Sequence, residues 1–126
     1  MSDTPDKAAP VTVEKTPDGN AIVARANVKM MDDQALKTLT RLVDDACTAT
    51  GGTGGVQLVV IDLSKVTIVP SMALGLLVQM SNKCKAREQR LKLAGVPPQV
   101  RQVFTITRLD RVFQFADSVD AALAQK

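Results

Sequence analysis

The segment Val56 to Leu63, VQLVVIDL, constrains the fold of this chain more than any other. A strand with one face in water alternates apolar and polar residues. This one is apolar and mostly β-branched almost throughout, the pattern of a strand covered on both faces. Such a strand belongs inside a sheet with helices packed on it. After a short loop, Pro70 and Ser71 open a stretch in which Leu77, Met80 and Cys84 recur at helical spacing, with a charged far end, KCKAREQR. A buried strand, a loop and a helix make the first half of a βαβ unit.

The flanking sequence extends the same alternation. Val11 and Val13 alternate with polar neighbours, Pro17-Asp18-Gly19-Asn20 supplies turn chemistry, and Ala21-Ile22-Val23-Ala24 resumes, so a β-hairpin is expected. Asp32 and Asp33 offer N-caps to a helix with Leu36, Leu39, Val43 and Cys47 on one face, ending at Gly51-Gly52. Leu91 to Ala94 reads as a short strand stopped by Gly95. Pro97-Pro98 suits the first turn of a helix carrying Val100, Val103 and Phe104. Val112 to Phe115 reads as a last short strand or extended segment, and Ser118 as the cap of a final short helix with Val119, Ala122 and Leu123. The expected order is ββαβαβαβα, a single α/β domain over residues 11–126 with a mixed sheet and helices packed against it. Residues 1–10 are expected to be a disordered tail. A length of 126 residues fits one domain.

Composition removes several function classes. The chain has no histidine and no Cys-x-x-Cys pair, which excludes a His-dependent triad and leaves no zinc-ligand set. Cys47 and Cys84 fall on apolar helix faces and are expected as buried thiols in a reducing compartment. With three Phe and neither Trp nor Tyr, stacking platforms for single-stranded nucleic acid or sugars are missing. Residues 1–62 carry six Lys/Arg against nine Asp/Glu, and residues 63–126 ten against four, but the basic residues are spread over several segments. A nucleic-acid partner would call for a denser stripe.

Gly51-Gly52-Thr53-Gly54-Gly55 follows a helix and precedes a strand, the reverse of a P-loop, and lacks its lysine; it is expected as a linker. Asp44-Asp45 reads as solvated surface and Asp32-Asp33 as a cap favoured by the helix dipole, so no metal is expected. The N-terminus is polar where a signal peptide would be apolar, and Val66–Met80 is broken by Pro70-Ser71 and too short to span a bilayer. A cytoplasmic chain with no membrane insertion, no cofactor and no catalytic residue is expected.

From Val59 to Leu77, VVIDLSKVTIVPSMALGLL, the sequence resembles the STAS family, whose hallmark is a strand ending Asp-Leu and then an Asp-Ser-(Ser/Thr/Ala)-Gly-Leu-Gly turn into a helix. Asp62-Leu63 matches the strand end, Ser71 the family's phosphorylated serine, and Leu74-Gly75 its Leu-Gly. Downstream, Leu91–Val96, Pro98–Phe104, Leu109–Phe113 and Asp117–Leu123 resemble the rest of the family pattern, so the likeness covers roughly residues 11–124. Three positions depart from it. Pro70 replaces the acid before the serine, Met72 a small polar residue, and Ala73 the first glycine. Upstream, Val28–Asp32 represents the family's Gly-Glu-Leu-Asp turn only loosely.

The resemblance implies an anti-sigma factor antagonist, a partner-switching regulator. It would bind an anti-sigma factor or serine kinase through Ser71, Met72, Leu74 and Gly75. Phosphorylation of Ser71 would release it, and a serine phosphatase would restore binding. A monomer or weak dimer is expected. The alternative from another class is a STAS-like accessory subunit docked on a membrane ABC-type transporter. For Ser71 two readings stand side by side: a switch serine, or an ordinary helix N-cap.

Overall fold

The apolar run forms the central strand of a five-stranded sheet. The computed structural model describes residues 11–16, 20–48 and 56–124. In order come β1 (Val11–Lys15), β2 (Ala21–Ala26), α1 (Asp33–Thr48), β3 (Leu58–Asp62) and α2 (Ser71–Ala86). Then follow β4 (Arg90–Ala94), α3 (Pro98–Ile106), a 3-10 turn (Leu109–Arg111), β5 (Gln114–Ala116) and α4 (Val119–Ala124). The strands lie in sequence order, β1-β2-β3-β4-β5. β1 pairs antiparallel with β2, and every later pair is parallel. This is the expected mixed α/β order.

Side-chain alternation along β3 sorts the core into two layers. Val59, Ile61 and, just past the strand, Leu63 pack with Leu36, Leu39 and Val43 of α1, Leu77 and Met80 of α2, and Val100 and Phe104 of α3. Leu58 and Val60 point the other way, into a smaller layer closed by Ala122 of α4. Three helices therefore cover one face and α4 the other, as successive crossovers of one hand require when strand order follows sequence. Phe104 anchors the far corner, edge-on to Phe113 at 5.5 Å and Phe115 at 5.6 Å.

Several local signals hold. Asp32 caps α1, its Oδ1 accepting from the Ala35 N–H at 2.9 Å. Ser118 caps α4 in the same way through the Ala121 N–H at 3.1 Å. Pro98 sits in the first turn of α3. Cys84 is a buried thiol. The Cys47 side chain, the turn at residues 17–19, the glycine segment 51–55 and the tail 1–10 lie outside the described residues.

Two expectations need correction, and one burial was not expected. The last strand begins at Gln114, because the Val112 and Phe113 N–H groups both turn back to the Leu109 carbonyl. Asp44 is not simply solvated. Its carboxylate joins Lys83 at 3.3 Å and Arg87 at 3.0 Å, tying α1 to α2. Lys92, between Leu91 and Leu93, is only 5% exposed, because α4 lies over its face and the Ala122 carbonyl accepts from its Nζ at 3.2 Å.

Candidate partner-binding site

Parallel strands deliver their following loops to one end of the sheet, where α/β folds place their sites. Here the ends of β2, β3 and β4 lead into the loops before α1, α2 and α3. At the end of β3, Asp62 accepts from the Ser64 N–H at 2.9 Å and pairs with Arg25 of β2 at 3.1 Å. The Leu63 N–H donates to the Ala94 carbonyl at 3.0 Å. Gly95 is required beside this turn. Its φ is +65°, and a Cβ there would meet the Ser64 Cβ at 3.1 Å.

The chain then crosses to the loop before α1. The Lys29 carbonyl accepts from the Thr67 N–H at 2.7 Å and from the Ile68 N–H at 3.1 Å; the Met31 N–H returns to the Ile68 carbonyl at 2.9 Å. Met30 and Ile68 thus form a parallel bridge outside the main sheet. Val66 and Val69 anchor this loop in the core, which turns the residues between them outward. Four residues after Ile68, Met72 at the start of α2 adds a third exposed apolar side chain to this apolar rim. Met30 is 47% exposed, Ile68 52% and Met72 73%. These are three of the four exposed large hydrophobics among the described residues, and the fourth, Ile106, ends α3.

Ser71, between Ile68 and Met72 in the chain, is the first residue of α2 and is exposed to solvent. The N-cap position belongs to Pro70, with φ −64° and ψ 157°, and no side chain caps the helix. The N-cap reading of Ser71 is therefore corrected: proline's fixed φ already suits the N-cap backbone, and the serine begins one residue later. The Pro70 carbonyl accepts from the N–H groups of Ala73 and Leu74. The Ser71 and Met72 N–H groups have no partner among the described residues and point out of the helix start. The first turn of α2 carries no acidic side chain.

The four residues expected at the interface separate here. Ser71, Met72 and Gly75 are exposed, while Leu74 is 5% exposed and packs in the core beside Leu77. Leu74 holds α2 on the sheet and is not available as a contact. Ala73, in place of the family's glycine, is fully buried and accommodated. Met30 and Ile68 were not apparent as site residues from the sequence, because only their pairing across the two loops brings them together. Among the described residues, no acidic or thiol cluster is placed to hold a metal ion, and no helix is long and apolar enough to cross a membrane.

Comparison with known proteins places this geometry. The STAS-domain profile matches residues 13–122. The anti-sigma factor antagonist SpoIIAA in its unphosphorylated form superposes with a TM-score of 0.72 at 19% identity, over 91% of this chain and 94% of that one. A STAS-domain anti-sigma-factor antagonist from Planctomyces limnophilus gives 0.73 at 21% identity, over 92% and 97%. RsbS from Moorella thermoacetica gives 0.73 at 22% identity, over 93% and 94%. At these identities the likeness establishes a shared fold. A search of curated protein sequences finds no match.

Proposed function

This chain belongs to the STAS-domain family, and from that membership we propose that it is an anti-sigma factor antagonist, a regulator that works by binding. Its partner is an anti-sigma factor or serine kinase. The contact surface comprises Ser71, Met72 and Gly75 with Met30 and Ile68. The observation that carries this reading is the exposure of Met30, Ile68 and Met72 around a solvent-facing serine at a helix start. Clustered exposed apolar side chains on a small domain mark a surface that another protein covers. Methionine adapts its shape to a partner better than branched residues do.

The proposed switch follows from charge. The partner kinase transfers the γ-phosphoryl group of ATP to the Ser71 Oγ, releasing ADP, and the hydroxyl proton passes to a base of the kinase. The product adds about −1.5 to −2 charges at neutral pH. Within this chain the added charge is tolerated, because the free Ser71 and Met72 N–H groups and the positive end of α2 favour an anion. No carboxylate in the first turn opposes it. At the interface the same charge would have to be desolvated against Met30, Ile68 and Met72, so the partner leaves while the domain stays folded. A phosphatase then hydrolyses the phosphoserine with water, releasing inorganic phosphate and restoring the hydroxyl. Pro70 provides neither the family's carboxylate nor an N–H for a kinase to grip, so the cognate kinase acts on Ser71 without either.

The test is capture from native cells on wild-type chain, identification of the retained protein by mass spectrometry, and incubation of the purified pair with ATP. The expected result is an anti-sigma factor or serine kinase that phosphorylates Ser71 and then dissociates. Retention only of transporter components, with Ser71 unmodified, would refute the proposal.

A further inference from the structure

A second feature adjoins the Ser71 surface. A groove of about 310 Å³ runs between α1 and α2, with Lys37, Arg41 and Asp44 on one wall, Lys83 on the other and Leu76 and Met80 at its base. Lys37, Arg41, Leu76 and Met80 all line it, and the Asp44–Lys83 ion pair links the two helices across it. On α2, Met72, Gly75, Leu76, Gln79 and Lys83 share one face at helical spacing, so the groove continues directly from the apolar rim. From Met72 to Lys83 this face is about 16 Å long, three turns of helix.

Among the described residues its charge is mostly positive. Arg87 adds a fourth cation at the far end, and Asp44 is the only carboxylate among the described lining residues, joined to Lys83 and Arg87. Arg41 has no ion pair among the described residues.

We infer that this groove receives an acidic amphipathic helix of the partner, seated along α1 and α2 with an apolar residue against Met72 and Leu76 and carboxylates toward Lys37 and Arg41. The inference rests on the partner-binding reading of the Ser71 surface and names the chemistry of what binds there. Charge complementarity calls for the acidic side chains. The helical form follows from the walls: both are helices, with no open sheet edge to pair with an extended peptide, so the occupant must satisfy its own backbone. A methyl group added at Gly75 would meet no atom within 4 Å, which leaves room for a second helix to approach closely. A bilayer fits less well. The apolar base is recessed, with Met80 only 2% exposed, and no aromatic side chain stands on this face to anchor at a lipid interface.

The test uses a displayed library of random peptides about 15 residues long, enough for four helical turns, panned on the immobilised full-length chain at low salt. The enriched pool is expected to be net acidic, with apolar residues at helical spacing. Single peptides from it are expected to bind the Lys37→Glu/Arg41→Glu double variant about tenfold or more weakly than wild type. Ile106→Ser, far from the groove, should bind as wild type does. Thermal midpoints confirm that the double variant is folded; if it is not, Lys37→Gln/Arg41→Gln takes its place, with the same direction expected. A pool without acidic bias, or peptides that bind the double variant as tightly as wild type, would overturn the inference. So would sedimentation with phosphatidylserine-containing vesicles that the double variant loses while no acidic peptide is enriched. Failure here leaves the Ser71 switch standing, because that reading is decided on the natural partner with Ser71 variants.

Discussion

Gly75→Ala separates folding from binding at one atom. Gly75 lies inside α2, and an added Cβ would find nothing within 4 Å. In a helix interior alanine is favoured over glycine by about 0.8–1 kcal/mol, from reduced backbone entropy in the unfolded chain. With no clash to oppose this and no new burial to add to it, the whole difference should appear as stability. For urea slopes of about 1–3 kcal/mol/M, the unfolding midpoint should rise by about 0.3–1 M with an unchanged slope. The assay is equilibrium urea denaturation followed by circular dichroism. If the proposed surface is correct, the same methyl stands where the partner's backbone approaches, and affinity should fall by about tenfold. A variant that is less stable than wild type would refute the reading of open space above α2. One that is more stable yet binds the partner unchanged would remove Gly75 from the interface.

Three further substitutions test separate parts of the structure. Ser71→Ala should change stability by less than about 0.5 kcal/mol, since the hydroxyl caps nothing; a loss near 1 kcal/mol in thermal or urea unfolding would restore it as a cap. Gly95→Ala should cost about 1–3 kcal/mol, from its left-handed backbone and the approach of Ser64, and an unchanged midpoint would contradict that geometry. Burial, and then the nearby positive charge of Arg90, hold the Lys92 ammonium below the ordinary lysine value of 10.5. The unfolded chain therefore binds this proton more readily, and wild-type stability relative to Lys92→Met should rise as pH climbs toward 10.5; a flat or falling difference in that window would refute the assignment.

Much of this was readable from local sequence because its cause is local. VQLVVIDL specifies a two-faced strand by composition, and Asp32 and Ser118 cap helices whose first turns they directly precede. The STAS likeness of Asp62-Leu63 and Ser71 pointed to the end of the sheet at which the partner surface is proposed. The remainder depends on contacts between distant segments. Lys92 between two leucines reads as one side of an alternating strand, and only the packing of α4 buries it. Asp44 acquires Lys83 and Arg87 through a helix pairing that periodicity does not encode. Met30 and Ile68 sit in loops without a repeating pattern, and their bridge creates the apolar rim. Leu74 is different. It lies three residues before Leu77, in phase with the inward stripe of α2, and the likeness to the family's Leu-Gly carries no information on which way it faces.

Charge at Ser71 is proposed to control partner binding without disturbing the fold. The deciding measurement is the affinity of the captured partner for wild type, Ser71→Ala and Ser71→Asp by titration calorimetry, beside their thermal midpoints. The expected result is three chains of similar stability, with Ser71→Ala binding nearly as wild type does. Ser71→Asp should bind at least about tenfold more weakly, about 1.4 kcal/mol. Binding of Ser71→Asp equal to wild type, at unchanged stability, would contradict the switch.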